Sequence, residues 1–411
     1  MLVTGYPVRI SGTIDSTRTN IMIVVSEFIF WISFSFLFYI YFLYPLLLGI
    51  LFFARKKPVS FDETYEPSVS LIIAAYNEEA VIGSKIENSL KLDYPTNKLE
   101  ILVFSDASSD RTDEIVKSYS DRGVKLVRVE GRRGKTFCQN EAAQTASGEI
   151  LIFSDANSMY ETDAPRKLVR HFVSQHVGCV VGELRYRHSK EERGRGVAGE
   201  GIYWRYEQLI KRLESHASSA VGANGSIYAI RKRLFEALPS DAVEDFVRPL
   251  KVVQKGYKVV YEPAAVTWEE TASTSAKESQ RRVRIVNQSV YSLIKDKSLL
   301  NLMNPLRYGL FGIQLWSHKV LRWLSGIFLL LFIGFNIPLV GHSVIYTVIL
   351  AGQGIFYLLA LWGLLCEGVR KRQAPRVVHF AYYFCLSCYA MLKGVFKALH
   401  GGTMSTWEPN R

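Results

Sequence analysis

The chain is poor in cysteine, with five among 411 residues, which argues against a disulfide framework as the source of its stability. Cys385 and Cys388 form a CxxC, but it lies in an apolar segment with no second pair and no nearby histidine, so neither zinc nor redox chemistry is indicated. No internal repeat, low-complexity tract, Ser-His-Asp arrangement or Cys-His arrangement is present, and nothing calls for a covalent enzyme intermediate. Acidic residues are in deficit as well: 38 against 50 Lys and Arg, a net charge of +12. The basic residues cluster beside apolar segments and in one Arg-rich stretch, a pattern that favours anionic headgroups and phosphorylated substrates over nucleic acid.

Charge is missing altogether from Phe28 to Phe53, long enough for a helix to span a hydrocarbon core of about 30 Å. Its length and its aromatic content separate it from a cleaved signal peptide. Arg55, Lys56 and Lys57 follow it, whereas the tail 1–27 carries Arg9 and Arg18 against Asp15 and Glu27, so the chain beyond Lys57 is expected in the cytoplasm. Further spans are expected at 323–340 and 344–366, an antiparallel hairpin around the GHS turn at 341–343. Basic residues at His318 to Arg322 and at Arg370, Lys371, Arg372 and Arg376 put both its ends on the cytoplasmic side. The segment 297–322 reads as interfacial helices. The segment 377–399 is apolar but contains Lys393 and Lys397, and the sequence leaves open whether it spans or lies in the interface.

Between these segments, over 66–296, short apolar runs alternate with amphipathic helical ones. LIIAA, ILVFS, KLVRV, ILIFSDA, CVVGEL, SIYAI and KVVYEP predict a mostly parallel α/β sheet whose strand-end loops carry the chemistry. LIIAAYNEE at 71–79 and ILVFSDASSD at 101–110 each run from a buried strand into a polar turn, ending on Asn77 and Asp106; helix capping explains such turns equally well. In SDAN at 154–157, Asp155 and Asn157 flank a small residue and suit one hard cation shared with diphosphate oxygens, although an Asx turn has the same appearance. GRRGKTFCQNEAA at 131–143 sets Lys135 in a glycine-flanked turn before a helix, which suits a diphosphate or simply a surface loop; the Walker spacing of a P-loop is incomplete. Glu244 and Asp245 open a helix, where a carboxylate stays ionised and can accept a proton from an attacking hydroxyl; capping accounts for one of the two acids. In SQRRVRIVNQ at 279–288, Arg281 and Arg284 share a helical face with Gln280 one step before, a pyrophosphate grip or a membrane-facing basic stripe. Tyr203, Trp204 and Tyr206 suit an aromatic acceptor platform or helix packing, and the GANG turn at 222–225 allows close backbone approach to a sugar.

Taken in this order, the loops resemble the membrane-embedded family 2 glycosyltransferases, the group that includes hyaluronan, cellulose and poly-N-acetylglucosamine synthases, over nearly the whole chain. The resemblance implies an α/β, GT-A-like (Rossmann-like) cytoplasmic domain with N- and C-terminal transmembrane helices, held in a bacterial inner (plasma) membrane. It implies that Ala74, Tyr76 and Glu78 line the base and ribose, that Asp106 meets the nucleoside and that Lys135 lies near the diphosphate. By the same resemblance Asp155 and Asn157 face a Mg or Mn ion, Asp245 is the catalytic base, and Gln280, Arg281 and Arg284 close over diphosphate and acceptor. Asn157 stands where the family has a second Asp, which weakens the cation site, and Ile285 stands where the longer arginine motif has Trp. The expected activity is inverting, metal-dependent transfer from a nucleoside-diphosphate sugar, UDP-sugars favoured, to a glycan in exopolysaccharide synthesis. Single transfer to a lipid (polyprenol phosphate or glycolipid) and a non-catalytic scaffold are the alternatives. Membrane lipids are expected partners, with an export subunit or homo-oligomer if a polymer is exported; nucleic acid is not expected.

Overall fold

A computed structural model of the protein describes residues 11–54, 60–187, 197–270, 275–370 and 374–401. Arg9, Arg55, Lys56, Lys57, Lys371 and Arg372, which carry much of the charge asymmetry above, lie outside the described residues.

Eight strands form one sheet: β1 (Val69–Ala75), β2 (Leu99–Ser105), β3 (Val124–Arg128), β4 (Ile150–Asp155), β5 (Met159–Tyr160), β6 (Val177–Arg187), β7 (Tyr228–Arg231) and β8 (Lys258–Glu270), in the order β3-β2-β1-β4-β7-β6-β8-β5. Six run in one direction, as the alternation of runs implies. β7 is antiparallel to both β4 and β6, and β5 to β8, so the sheet is mixed. Each of the seven apolar runs is a strand, whereas the two-residue β5 is too short to leave a period-2 signal.

The strands are apolar on both faces because both are covered. Ile72, Ala74, Leu102, Phe104, Leu151 and Phe153 point into one core, and Leu71, Ile73, Ile101, Val103, Ile150 and Ile152 into the other. Helices α5 (Lys135–Thr145) and α8 (Glu244–Gln254) pack on the first face through Cys138, Ala142, Phe246 and Leu250. Helices α3 (Ile82–Leu90), α4 (Thr112–Lys117) and α6 (Ala164–Val169) cover the second through Ile86, Val116 and Leu168. In register, Ala75 faces Ser105 and Ala74 faces Asp155, so the carboxyl ends of β1, β2 and β4 deliver their turns to one edge.

The N-terminal helix runs from α1 (Ser11–Phe38) through a π turn at Tyr39–Leu43 into α2 (Tyr44–Ala54). Pro45 has no N–H for the carbonyl of Tyr41, and that oxygen and the one of Ile40 instead accept from Tyr206 Oη at 3.3 Å. The freed carbonyls of an apolar helix are thus satisfied by the long helix α7 (Val197–Ala217). Asn20–Ala54 and Val344–Val369 are long and apolar enough to cross a membrane, and so is the pair Leu310–Trp323 and Ser325–Leu339 taken together, although it bends by 58° at Leu324. The expected 323–340 segment is therefore mostly the second limb of a broken helix. The helix Arg376–Leu399 docks along α9 (Ser275–Lys295): a Cβ on Gly394 would lie 2.8 Å from Val286 Cβ and 2.9 Å from the Val283 carbonyl.

Candidate active site

A cavity of about 300 Å³ opens at the carboxyl edge of the sheet, between it, α7, α9 and the membrane helices. It gathers Glu78, Lys135, Asp155, Asn157, Asp245, Arg281 and Arg284, which arrive from five separate stretches of sequence.

Lys135 is the first residue of α5, set there by Gly134 at φ 89°. Asp106, 2% exposed and outside the cavity lining, shapes that turn: its Oδ1 accepts from the Arg133 amide at 2.7 Å and its Oδ2 from the Gly134 amide at 3.0 Å. The Lys135 ammonium then lies 2.6 Å from Asp155 Oδ1 and 3.0 Å from Glu244 Oε1. Burial disfavours its charge, but these carboxylates outweigh burial and hold its pKa above the lysine range.

Glu244 and Asp245 begin α8 and separate in acidity. For Glu244 burial opposes ionisation, yet Lys135 and Arg248 outweigh it and keep the carboxyl below its usual range. Asp245 forms no ion pair among the described residues; burial and the neighbouring Glu244 charge push it up to about 6. One acid is committed to Lys135, and the other is poised near neutrality to take a proton. The GANG turn supports this arrangement, because a Cβ on Gly225 would stand 3.2 Å from both Asp245 Oδ2 and Lys135 Nζ. Any side chain there would press on the acid and the lysine together.

The remaining expected residues divide. Ala74 is fully buried in β1 with its side chain in the core. Tyr76 lies in the turn after β1 with Arg132 stacked 4.1 Å from its ring. This turn and the next have unusual backbone, with Asn77 at φ 50° and Ala107 at φ 55°. Gln280 is exposed and not among the lining residues, while Arg281 donates to Tyr186 Oη at 3.2 Å. Tyr203 and Trp204 line the cavity, but Tyr206 is turned to the N-terminal helix.

Sequence reading missed charged lining residues, Arg282, Glu207, Lys211 and Glu269 among them, and misplaced Arg322. Arg282 stacks on Tyr203 at 4.3 Å. Arg322, read only as a membrane-flanking charge, is 5% exposed and pairs with Glu207. Lys211, pushed down to about 8 by burial and Lys319, donates to Asn224 Oδ1 in the GANG turn. Glu269, held above its usual range by burial and by Asp155, accepts from Ser158 at 2.5 Å. No local pattern marks these positions, since each reaches the cavity only through the elements that meet there.

Asp155 and Asn157 are the oxygen donors facing the cavity where a cation is expected, and no group of three His, Cys, Asp or Glu among the described residues forms a metal cage. Such a donor set fits an ion that completes its shell with ligand phosphates, and does not fit a closed protein site.

The profile of glycosyl transferase family 2 matches residues 70–238, which hold β1 to β7 and the Lys135 and Asp155 loops. Over these residues the chain is similar to the family 2 glycosyltransferases. It is 29% identical over 240 residues to "Probable glycosyltransferase YdaM" of Bacillus subtilis, covering 56% of this chain and 57% of that protein. The poly-beta-1,6-N-acetyl-D-glucosamine synthase of Staphylococcus epidermidis is 27% identical over 293 residues, 67% of this chain and 70% of the synthase. The chain thus spans less than two thirds of one of these relatives. Among solved structures, a mannosyltransferase of Pyrobaculum calidifontis, described in complex with GDP-Man and Mn2+, superposes with a TM-score of 0.67 at 21% identity, over 92% of this chain and 99% of that one. The fold of this transferase is therefore GT-A-like.

Proposed function

We propose that the protein is an inverting glycosyltransferase that moves a sugar from a nucleoside-diphosphate sugar to a glycan acceptor in exopolysaccharide synthesis. The observation that carries this reading is the split between Glu244 and Asp245, which leaves one half-buried carboxyl of raised pKa, outside any ion pair among the described residues, in a cavity with Lys135, Arg281 and Arg284. The match to a polysaccharide synthase supports the acceptor class.

In this reading Asp245 accepts the proton of an acceptor hydroxyl as its oxygen bonds to the anomeric carbon. The bond from that carbon to the diphosphate breaks, and its electron pair leaves on the nucleotide. One displacement inverts the configuration. Lys135, at the start of α5, and the Arg281 and Arg284 guanidiniums stabilise charge on the leaving diphosphate. Asp155 and Asn157 would hold a divalent ion, Mg or Mn, which supplies further charge neutralisation when bound; the mannosyltransferase of like fold was solved with Mn2+. Tyr76, Glu78 and the Ala74 main chain contribute to the nucleoside side, with Asp106 fixing the lysine turn, and Gln280 sits at the outer end of the arginine motif. The transferase domain is placed on the cytoplasmic side of a bacterial inner membrane, where nucleotide sugars are made.

Incubating membranes that contain the protein with a panel of labelled UDP- and GDP-sugars, then sizing the product, tests the proposal. Incorporation of one sugar into material that lengthens with time is expected; no incorporation from any donor, with nucleotide binding intact, would contradict it and leave a scaffold role.

A further inference from the structure

Asp155 and Asn157 sit in one β-turn, from Asp155 to Ser158, closed by the Ser158 amide donating to the Asp155 carbonyl at 3.2 Å. Exposure alternates along it. Asp155, Asn157 and Met159 are half-buried, whereas Ala156, Ser158 and Tyr160 are 3% exposed or less. The two oxygen donors face the cavity while the residues between and after them point into the protein, so whatever holds those inner residues sets the direction of the donors.

Ser158 has all of its polar groups engaged. Besides its amide, its hydroxyl donates to Glu269 Oε1 of β8 at 2.5 Å, and its carbonyl accepts from the Lys85 ammonium of α3. Tyr160 is held as firmly. Its amide donates to Asn88 Oδ1 and its carbonyl accepts from Asn88 Nδ2, both at 2.9 Å. Its hydroxyl reaches the carbonyls of Phe153 at 3.0 Å and Ser226 at 3.1 Å, which closes the loop back on β4 and ties it to the residue just past the GANG turn. Lys85 and Asn88 are three apart in sequence and lie on one face of α3.

Lys85 is out of place by composition. Its neighbours on the buried face of α3, Ile82 and Ile86, belong to the apolar core, and it is itself 0% exposed. The ammonium lies 4.0 Å from the centre of the Tyr160 ring and forms no ion pair among the described residues. Burial pushes its pKa down to about 7, against the opposing pull of Asp155 and Glu269. An aliphatic side chain would complete that face at lower cost, since a buried ammonium without a carboxylate partner loses more by desolvation than one carbonyl bond returns. What the amine does that a methylene cannot is fix the Ser158 carbonyl, one residue beyond a candidate cation ligand.

Such bracing matters more here than in a site with two carboxylates. Asn157 offers a neutral carbonyl, and no group of three His, Cys, Asp or Glu among the described residues closes a cage. With so few donors, affinity depends on their being aimed before the ion arrives.

We propose that Lys85 and Asn88 are positioning residues for the candidate cation site: from beneath, α3 holds Ser158 and Tyr160 and so keeps Asp155 and Asn157 turned together toward the cavity. Neither residue lines the cavity itself. This role rests on the transferase reading above.

Loss of the free Mn2+ EPR signal reports binding to the full chain in detergent, with UDP or GDP present, whichever binds more tightly. Lys85→Met keeps the length of the side chain and removes its donor. It should raise the Mn2+ dissociation constant about tenfold, and Asn88→Ala by less, about threefold, with nucleotide affinity in the absence of metal unchanged. Saturating Mn2+ should return sugar transfer by either variant to within a few-fold of wild type, a recovery that general damage to the fold would not show. Lys91→Met, at the exposed residue that ends α3, serves as control and should leave the constant unchanged. An unaltered Mn2+ constant in Asn88→Ala, or in a folded Lys85→Met, would overturn the positioning role, and so would a loss of transfer that excess Mn2+ does not restore. Absence of Mn2+ binding in the wild type would overturn it together with the cation site. If Mn2+ binds and weakens in both variants but no sugar is transferred from any donor, the transferase reading fails and the positioning role stands.

Discussion

Glu244 and Asp245 are adjacent, and Asp245, the stronger acid as a free side chain, becomes the weaker of the two because Lys135 pairs only with Glu244. A base raised to about 6 is protonated below that value and competent above it, so transfer should rise with pH through about 6 and then level off. A pH–rate profile of kcat/KM on the wild type checks this; a flat profile from pH 5 to 8 would remove Asp245 from the base role. At Asn157 the neutral carbonyl binds a hard cation less firmly than a carboxylate, so Asn157→Asp should lower the Mn2+ concentration that gives half-maximal activity. Titration of activity with Mn2+ reads the shift, and full activity in excess chelator would exclude a cation role. The places of Asp155, Lys135 and Asp245 were legible because each ends a strand or opens a helix, where sequence fixes direction, and Asn157 follows in the turn two residues past the strand. Asp106 was legible as the acid just past a strand, but its bonds to the Arg133 and Gly134 amides were not, since they depend on how a distant turn folds back.

At the scale of elements, the runs of apolar residues sufficed for seven strands because both faces of the sheet are buried. The reversed direction of β7 is set by the path of α7 and the GANG turn, which no period in β7 itself encodes. The fate of 377–399 was equally hidden, for its charges allowed two readings and its docking depends on one small residue. Gly394 lets that helix touch α9 at Val286, and the same helix presents Tyr383 to Arg282 at 3.1 Å. Gly394→Leu should overpack this contact, costing about 1–3 kcal/mol and lowering the thermal midpoint of the detergent-solubilised protein. Gly354→Ala, which meets nothing within 4 Å and removes a helix-interior glycine, should not lower it. Equal midpoints for the two variants would show that the helix is not held by this contact.

Across the whole molecule, the cavity is closed partly by the bent apolar pair Leu310–Trp323 and Ser325–Leu339, through Trp323, and partly by Met391 of the helix Arg376–Leu399 that docks along α9. The candidate site and a helix of bilayer-spanning length and apolarity therefore share a wall. If the domain is cytoplasmic, a cysteine placed at the exposed Lys125 should react with a membrane-impermeant maleimide only after cells are opened; labelling in intact cells would reverse the topology. The helices of bilayer length were readable from their apolar runs, but the break at Leu324 arises from helix packing that sequence alone does not state. The most direct measurement on the central claim compares sugar transfer and nucleotide-sugar binding in the wild type and in Asp245→Asn. The substitution keeps the shape and removes the proton acceptor, so transfer should fall by about 10² to 10⁴ while binding changes no more than a few-fold. Transfer at a near wild-type rate by Asp245→Asn would contradict it.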